Sequence, residues 1–594
     1  IPLRLVGSEM CIRDRCTIDQ YTYSLLRLRK CLISTLRPFF LVLKILIPFK
    51  LQNDSTFLSL LITNTLVLSI EKTFTKLIIK FFCKLIRFSF EIIFDNLDIG
   101  FSKSLTGMPI KKLFFIILFL PYHAIRLVSE MIRKTKIIAT VGPSVHSREK
   151  IHGLIDSGVD VIRLNFSHGT YEDHKNVVDW ARSYSKPVAI MQDIQGPKIR
   201  TGISKNETYL VSGDSIELTN KEEISTSETL YINYESLCDD IKDGERVFID
   251  DGQIVLRVTS KNEHTLTADI DIGGELRDNQ GVAFPDSKLS VSAITSKDKQ
   301  DLAYGGEIGV DLVAVSFVRK ASDITEVRTL VKKGIKIIAK IELKEAMKNL
   351  DSIIDESDGV MVARGDLGVQ LPLEQVPFAQ KKILDTANYK GKISITATEM
   401  LQSMKSSFRP TRAEVTDITN AILDGTDAVM LSAETSIGEH PDIVVKVMAS
   451  ICEEADSNSH YSAMRFKTLS SVDTFATSLA KAAVQVANDI EAKAIVAYTE
   501  TGTTPLLISN YRPDAPIITF SAKDLTLRQM NILWGVEQAK IERFDTTEEM
   551  FEIADSWLQS NKNFKKNDKV VIVAGTPPNQ EAATNLLRVM KIGE

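Results

Sequence analysis

Two short apolar runs in this 594-residue chain end in charged side chains that could do chemistry. The first run ends in Lys340 and Glu342, and the second ends in Asp366. A near-continuous apolar run is typical of a buried parallel strand, and parallel α/β folds place their chemistry at the carboxyl ends of such strands. Two carboxylates suit a hard divalent cation such as Mg2+, and the lysine suits an anionic group bridged to that metal. This combination favours phosphoryl transfer.

Polar side chains also follow other apolar runs of the same kind. Two runs end at Arg163 and Asp193, and a later one ends at Thr398. Strand ends are often polar because they face solvent. The presence of any one of these residues is therefore explained equally well by exposure to water, by a local ion pair or by a turn. Polar groups at one end of so many strands nevertheless indicate a shared site.

The elements that must position these residues alternate between strand and helix from Lys134 onward. Helical-period segments separate most of the apolar runs. Eight strands with intervening helices predict a (β/α)8 TIM barrel, and a doubly wound open sheet is the alternative architecture. The predicted strands are 135–141, 159–165, 187–193, 311–318, 336–342, 359–363, 392–398 and 427–432.

Two segments interrupt or follow the predicted barrel, which would occupy residues 131–201 and 288–458. In residues 202–287 short alternating runs replace the helices, and Asp251-Gly252 marks a hairpin, so we expect an inserted small all-β domain that acts as a lid. Residues 459–594 predict a C-terminal α/β domain. One loop there has a phosphate-binding composition, which is also that of an ordinary turn. That loop consists of Thr499, Glu500, Thr501, Gly502, Thr503 and Thr504.

Residues 1–130 differ in composition from the rest of the chain. They hold 18 lysines and arginines against 9 aspartates and glutamates, a net charge of +9, so the remainder carries −14 of the total of −5. Their longest uncharged run, 55–70, is shorter than the roughly 18–20 residues that span a bilayer. A transit peptide would be Ser/Arg-rich and amphipathic, which this segment is not. We therefore expect a non-native extension, a cloning or sequencing scar, with Met131 as the true start.

The cysteines and basic residues exclude several other functions. Four of the six cysteines lie in residues 1–130, and Cys238 and Cys452 are far apart and lack a His/Cys cluster. Neither a zinc site nor a disulfide framework follows, which fits a cytoplasmic protein. No basic patch is interleaved with aromatic residues, so we expect no nucleic-acid partner. A membrane partner is expected only if residues 1–130 are native.

From about Lys134 to its end the chain resembles the pyruvate kinases. The resemblance implies a barrel, an inserted β-barrel lid and a C-terminal effector domain, assembled as a homotetramer. It also implies transfer of the phosphoryl group of phosphoenolpyruvate to ADP, followed by protonation of the enolate to pyruvate, the last step of glycolysis. The matching stretches appear in the family's order and are 136–144, 163–169, 193–202, 339–342, 361–368, 396–401 and 410–414.

Roles follow from this resemblance residue by residue. Glu342 and Asp366 resemble the ligands of Mg2+ or Mn2+. Lys340 resembles the lysine that stabilises the phosphoryl group during transfer, and Arg163 resembles the arginine that contacts that group. In the C-terminal domain a phosphorylated effector is implied, a sugar phosphate or a nucleotide.

Further roles concern the enolate, the substrate carboxylate and a monovalent cation. Thr398 resembles the threonine near the proton-delivery path, with water as the final donor. Backbone N–H groups around Gly365 and Asp366 would hold the substrate carboxylate. The implied monovalent-cation pocket consists of Asn165, Ser167, Asp193 and Ile194.

Lys198 departs from the most familiar form of the family, which has a glutamate there and needs K+. An ammonium group is a compact positive charge that can take the place of the cation, so we expect no K+ requirement. The alternative is that Lys198 points to solvent and the pocket still binds K+. Glu399 and the return segment 281–286 also depart from the usual pattern, which leaves the details of lid closure open.

Other classes of function compete with this interpretation. A different barrel lyase or mutase acting on phosphoenolpyruvate or a related enolate would also use strand-end carboxylates, but the inserted domain and the 499–504 loop argue against it. A non-catalytic effector-binding protein on the same scaffold would not need Lys340, Glu342, Asp366 and Thr398. A membrane-anchored form using residues 1–130 is the last alternative.

Overall fold

The computed structural model describes residues 133–205, 208–458, 475–578 and 584–594. The predicted extension and the predicted start at Met131 lie outside these residues. Among the helices of the described ranges, none has both the length and the apolar character that a bilayer span requires. The domain limits given above stay predictions.

The first strands of the barrel are buried and apolar, as the sequence predicts. All residues of the first and third strands are buried, which explains why they read as continuous apolar runs. The side chains of Ser147 and Thr170 accept backbone N–H groups and so start the two helices between the strands. These elements are β1 (Lys136–Thr140), α1 (Arg148–Ser157), β2 (Val161–Asn165), α2 (Tyr171–Arg182) and β3 (Ala189–Ile194).

The insert after β3 consists of short strands and one four-residue helix. Its elements are β4 (Tyr209–Leu210), β5 (Ser215–Thr219), β6 (Thr229–Tyr231), α3 (Leu237–Asp240), β7 (Arg246–Ile249), β8 (Ile254–Lys261), β9 (Thr265–Ile272), β10 (Gly274–Glu275) and β11 (Val282–Ala283). They form a six-stranded sheet, β11-β7-β8-β9-β5-β6, and a two-stranded sheet, β10-β4, which share one hydrophobic core. The hairpin predicted at Asp251-Gly252 is confirmed, since both residues have positive φ between β7 and β8.

The chain then returns to the barrel and completes it. Its elements are α4 (Ser296–Ile308), β12 (Leu312–Val315), α5 (Ala321–Leu330), β13 (Lys336–Ile341), α6 (Lys344–Lys348), α7 (Leu350–Glu356), β14 (Gly359–Ala363), α8 (Arg364–Gln370), α9 (Val376–Tyr389), β15 (Ile393–Ala397), α10 (Arg412–Leu423), β16 (Ala428–Leu431), α11 (Ala433–Ser436) and α12 (Pro441–Ser457). The eight barrel strands close in the order β1-β2-β3-β12-β13-β14-β15-β16, all parallel. The predicted TIM barrel is therefore confirmed, and the open sheet is excluded.

Aspartates stabilise the amino ends of the barrel strands. Asp311 precedes β12 and accepts the N–H of Ile190 in the neighbouring strand at 2.8 Å. Asp427 precedes β16 and accepts the N–H of Ser394 at 2.8 Å. Arg512 of the C-terminal unit forms a buried ion pair with Asp427, which docks that unit against the end of the barrel opposite the predicted site.

The C-terminal unit is an α/β sheet of five strands in the order β19-β18-β17-β20-β21, with β21 antiparallel to β20. Its elements are α13 (Phe475–Asp489), β17 (Ala494–Tyr498), α14 (Thr503–Asn510), β18 (Ile517–Ser521), α15 (Asp524–Met530), β19 (Val536–Lys540), α16 (Thr547–Ser560), β20 (Lys569–Ala574) and β21 (Leu586–Lys591). The predicted phosphate loop connects β17 to α14. It therefore lies at the carboxyl edge of this sheet, where open α/β folds bind ligands.

Candidate active site

Lys340 lies in a buried cluster of charges at the carboxyl end of the barrel. Its ammonium nitrogen is 2.8 Å from Glu342 Oε1 and 3.2 Å from Asp193 Oδ1. It also donates to Ser316 Oγ at 2.7 Å. The lysine side chain is only 11% exposed and the two carboxylates at most 2%. The alternative of a solvated lysine at a strand end is therefore wrong.

The charged groups of this cluster favour one another's ionised forms. Burial lowers the pKa of Lys340, but the carboxylates of Asp193 and Glu342 outweigh burial, and the net pKa lies above the ordinary value. Burial raises the pKa of Asp193, but Arg163 and Lys340 outweigh it, and the net pKa lies below the ordinary value. Burial raises the pKa of Glu342, and Lys340 offsets only part of this shift. At neutral pH the cluster thus holds an ammonium group beside at least one carboxylate.

Glu342 and Asp366 follow neighbouring strands and line one cavity of about 500 Å³. Glu342 Oε2 accepts the N–H of Phe317 at 2.7 Å. Glu342 Oε1 is buried and has no donor in hydrogen-bond geometry, although the Lys340 ammonium lies close to it. Because hard cations prefer carboxylate oxygens, Glu342 Oε1 and the carboxylate of Asp366 on the same cavity fit Mg2+. Across the described ranges, this site included, no group of three or more His, Cys, Asp or Glu side chains is arranged to hold a metal.

Arg163 joins the same cluster from the second strand. Its Nε donates to Asp193 Oδ2 at 2.7 Å, and its Nη1 donates to Thr140 Oγ1 at 3.0 Å. Asp193 therefore holds Arg163 through one oxygen and Lys340 through the other. Asp193 thus holds both cations at the same end of the barrel, where they can meet an anionic substrate group.

The predicted monovalent-cation pocket lies on the same two strand ends. Asn165 is paired in register with Asp193, and its Oδ1 accepts the N–H of Ser167 at 3.2 Å. The carbonyl of Ile194 accepts the hydroxyl of Ser316 at 2.7 Å. The structure thus brings the four predicted residues together, and the binding of a cation among them stays a prediction.

Thr398 has a backbone conformation that threonine rarely adopts. Its φ is 67° and that of Glu399 is 53°, both left-handed, and such a conformation costs about 1–3 kcal/mol per residue. The Thr398 hydroxyl donates to Ala397 O at 2.6 Å and accepts the N–H of Gly365 at 2.8 Å. The Gly365 N–H, predicted to bind the substrate carboxylate, therefore already has an acceptor in this structure. A carboxylate would have to share or displace it.

Lys198 lines the same cavity as Glu342 and Asp366. Burial and the positive charge of Arg200 lower the pKa of Lys198, while the carboxylates of Asp366 and Glu342 oppose that shift. Its charge is thus felt in the cavity, although the side chain remains exposed. Because Lys198 lines the cavity and is also exposed to solvent, its role in place of K+ stays a prediction.

The insert contributes a residue that sequence reasoning misses. Asp251, in the hairpin turn, lines the same cavity as Glu342 and Asp366. Burial and the carboxylate of Asp366 raise the pKa of Asp251. In the sequence the Asp251-Gly252 pair predicts only a turn. The carboxylate of Asp251 is the one feature that could have identified this residue as part of the site. Ser316 is only a polar strand end in the sequence, which does not predict its bonds to Lys340 and Asp193.

A second cavity, of about 440 Å³, borders the predicted phosphate loop. Gly502 has φ 88°, and its N–H donates to Thr499 Oγ1 at 2.9 Å, which forms the turn before α14. Glu500 pairs with Lys523 at 2.9 Å, so this acidic residue is partly neutralised. Arg543 also lines the cavity. The loop residues on its wall are Thr499, Glu500, Thr501, Thr503 and Thr504.

Comparison with known proteins agrees with this geometry. Residues 132–445 match the family described as pyruvate kinase, barrel domain, and residues 477–590 match pyruvate kinase, alpha/beta domain. Pyruvate kinase 2 of Synechocystis is 41% identical over 78% of this chain and 80% of its own length. The Clostridium perfringens pyruvate kinase is 39% identical over 77% of this chain and 100% of its own length. A pyruvate kinase structure from Cryptosporidium parvum has a TM-score of 0.73 and 34% identity, and the match covers 77% of this chain and 96% of that one.

Proposed function

Because this chain belongs to the pyruvate kinase family, we propose that the cluster around Lys340 is the site where it transfers the phosphoryl group of phosphoenolpyruvate to ADP. The chain is a phosphotransferase that gives pyruvate and ATP. One observation carries the assignment of the site. It is the buried ammonium of Lys340, held by Asp193 and Glu342 beside the cavity that Asp366 also lines.

The family is generally Mg2+-dependent, and we assign the ion, or Mn2+ in its place, to Glu342 and Asp366. When bound, the metal supplies Lewis-acid stabilisation of negative oxygens. The Phe317 N–H fixes Glu342 Oε2, and we assign the ion to Oε1, which faces the Lys340 ammonium in this structure. Substitution of either carboxylate should therefore weaken metal binding directly.

Lys340 and Arg163 stabilise the phosphoryl group during transfer. That group passes through a loose state in which negative charge spreads over its oxygens. Both side chains are held in advance by Asp193, so little reorganisation is needed when this charge develops. In this assignment Lys340 is the main contact of the phosphoryl group during transfer, and Arg163 is a second contact of that group.

Thr398 belongs to the second half of the reaction, in which the methylene carbon of the enolate gains a proton and the enolate oxygen becomes a carbonyl. Its hydroxyl is bonded to the backbone of Ala397 and Gly365. This places Oγ1 beside α8, whose first turn carries Asp366. A hydroxyl held in this way can organise water that delivers the proton.

Replacing Thr398 by valine is expected to slow enolate protonation by about 10²-fold or more, which is the usual contribution of positioned proton transfer. Phosphoryl transfer should change much less, because Lys340 and Arg163 remain. Rapid-quench measurement of ATP formation and proton NMR of pyruvate methyl exchange separate the two steps. Thr398→Ser keeps the hydroxyl and serves as the matched control. Equal slowing of both steps in Thr398→Val would contradict the assignment.

We also propose that Lys198 replaces the monovalent cation. Its charge reaches the cavity beside Glu342 and Asp366, and an ammonium is a compact point charge. It would therefore assist the same anionic substrate that K+ assists in relatives with a glutamate at this position. According to this proposal, turnover does not require a monovalent cation in the pocket around Asn165.

Turnover with Mg2+ in tetramethylammonium buffer is expected to be close to that in K+ buffer. Lys198→Glu should create K+ dependence, since it removes the fixed cation and adds a carboxylate. Lys344→Glu is the control, because Lys344 lines the same cavity outside the proposed cation pocket. A wild-type rate that falls more than about tenfold without K+, roughly 1.4 kcal/mol of barrier, would refute the proposal.

Several finer statements remain proposals. We assign the 440 Å³ cavity beside Thr499–Thr504 to a phosphorylated effector, supported by the loop composition and by Arg543 on its wall. The insert would act as a lid, supported by the position of Asp251 over the first cavity. The homotetramer and the cytoplasmic location stay predictions from the sequence.

A further inference from the structure

Arg364 holds the turn that presents Thr398, although sequence reasoning gives it no role. Its Nη2 donates to Thr398 O at 2.6 Å, and its Nε donates to Ala397 O at 3.2 Å. Its Nη1 donates to Asp417 Oδ2 at 2.6 Å. The side chain is 10% exposed, so water competes little for these hydrogen bonds. One guanidinium thus binds two successive carbonyls and one carboxylate.

The turn that Arg364 binds needs external support. Thr398 and Glu399 both have positive φ, and for a β-branched residue such as threonine this is a rare conformation. The planar fork of an arginine can bind several acceptors in fixed directions, which a lysine cannot do. Arg364 therefore supplies the hydrogen bonds that favour this conformation over a relaxed one.

The neighbouring glycine completes the contact. The N–H of Gly365 donates to Thr398 Oγ1 at 2.8 Å, so two adjacent residues bind both the carbonyl and the hydroxyl of Thr398. This is possible because β14 and β15 are parallel neighbours with Ala363 opposite Ala397. The two strand ends thus lie side by side, and the position of the Thr398 hydroxyl depends on both.

We propose that Arg364 is a positioning residue for enolate protonation. It acts without touching the substrate, by keeping Thr398 Oγ1 in place beside Gly365 and Asp366, and Asp417 on α10 orients the guanidinium. The inference rests on the proposed role of Thr398. It goes beyond that role because it names the Arg364 guanidinium as the group that stabilises the strained turn at Thr398.

The test compares Arg364→Lys with Arg182→Lys in the full-length protein. Arg182 is a matched control, because it donates to Val188 O and to Asp311 Oδ2, each at 2.6 Å, at the opposite end of the barrel. Arg364→Lys is expected to slow the ketonisation of added enolpyruvate by about tenfold or more, with a much smaller change in ATP formation and in KM for phosphoenolpyruvate. Arg182→Lys should leave the ratio of the two rates unchanged. A wild-type ratio in Arg364→Lys would overturn the inference.

A double mutant separates positioning from a general structural role. Thr398→Val should slow ketonisation by a clearly smaller factor in the Arg364→Lys background than in the wild-type background, since the hydroxyl is already misplaced there. Full additivity would overturn the inference. If Thr398→Val alone leaves ketonisation unchanged, both the role of Thr398 and the inference fail. If it slows ketonisation and Arg364→Lys does not, only the inference fails.

A milder variant covers the case in which Arg364→Lys does not fold. Asp417 is 41% exposed, so Asp417→Asn is expected to fold while weakening the orientation of the guanidinium. It should slow ketonisation by a smaller factor than Arg364→Lys and leave ATP formation unaltered. An unchanged ketonisation rate, or equal slowing of both steps, would count against the positioning role.

Discussion

Lys340→Met is expected to stop phosphoryl transfer while pyruvate still exchanges its methyl protons with solvent. Transfer needs a cation that meets the charge of the moving phosphoryl group, whereas exchange needs only stabilisation of the enolate. Loss of a charge held in advance by Asp193 and Glu342 should cost about 10³-fold in the transfer rate, roughly 4 kcal/mol. Rapid-quench ATP formation and NMR of deuterium uptake measure the two activities separately.

The stability of this variant must be measured beside its activity. Removal of one partner from a buried ion pair destabilises a protein by about 3–5 kcal/mol, because the remaining charge is uncompensated. Here Arg163 still binds Asp193, which limits the loss. Lys344→Met, two residues beyond Glu342 and exposed in the same cavity, is the matched control for activity. A folded Lys340→Met enzyme with full ATP formation would show that the role assigned to this lysine is wrong.

Asp366→Asn and Glu342→Gln are each expected to abolish Mg2+-dependent turnover and leave the fold intact. Both substitutions keep the shape of the side chain and remove the negative charge that a hard cation needs. Because loss of a group that merely supports a ligand weakens binding 10- to 100-fold, loss of a ligand should weaken it by at least about 100-fold. Mn2+ titration followed by electron paramagnetic resonance measures affinity without relying on turnover.

Glu345→Gln is the control for the metal site. Glu345 lines the same cavity but lies on α6, beyond the strand end. It should bind Mn2+ with wild-type affinity and retain turnover. Normal Mn2+ affinity in both Asp366→Asn and Glu342→Gln would show that these two carboxylates do not bind the metal. Loss in only one of the two would show that the ligands differ from those assigned.

Most of the barrel is predictable because its strands carry a local signal. The buried middle of a parallel strand must be apolar, and Ile337, Ile338 and Ala339 show this in the order of the residues alone. The observed strand Lys336–Ile341 differs from its predicted limits by one residue. By contrast, the short edge strands of the insert and Val536–Lys540 of the C-terminal sheet are partly exposed, so their patterns are weak.

The site is predictable in its residues and not in its contacts. Lys340, Glu342 and Asp366 stand out because each ends an apolar run, and strand ends on one side of a barrel must converge. Asp251 does not stand out, because its approach depends on how the insert folds back over the barrel. Arg364 does not either, because an arginine after a strand looks like a solvated residue until its partners are known.

The order of strands and helices, the charges at the strand ends and the family to which the chain belongs can all be read from the amino-acid sequence. These features follow from residue types at neighbouring positions, which local periodicity reports. The folded barrel, in contrast, is needed to see that Asp193 joins Arg163 to Lys340 and that Thr398 adopts a left-handed backbone. Both outcomes depend on barrel closure and register. Closure brings together side chains as distant in the chain as Asp193 and Lys340, which are 147 positions apart, and no local pattern encodes such contacts.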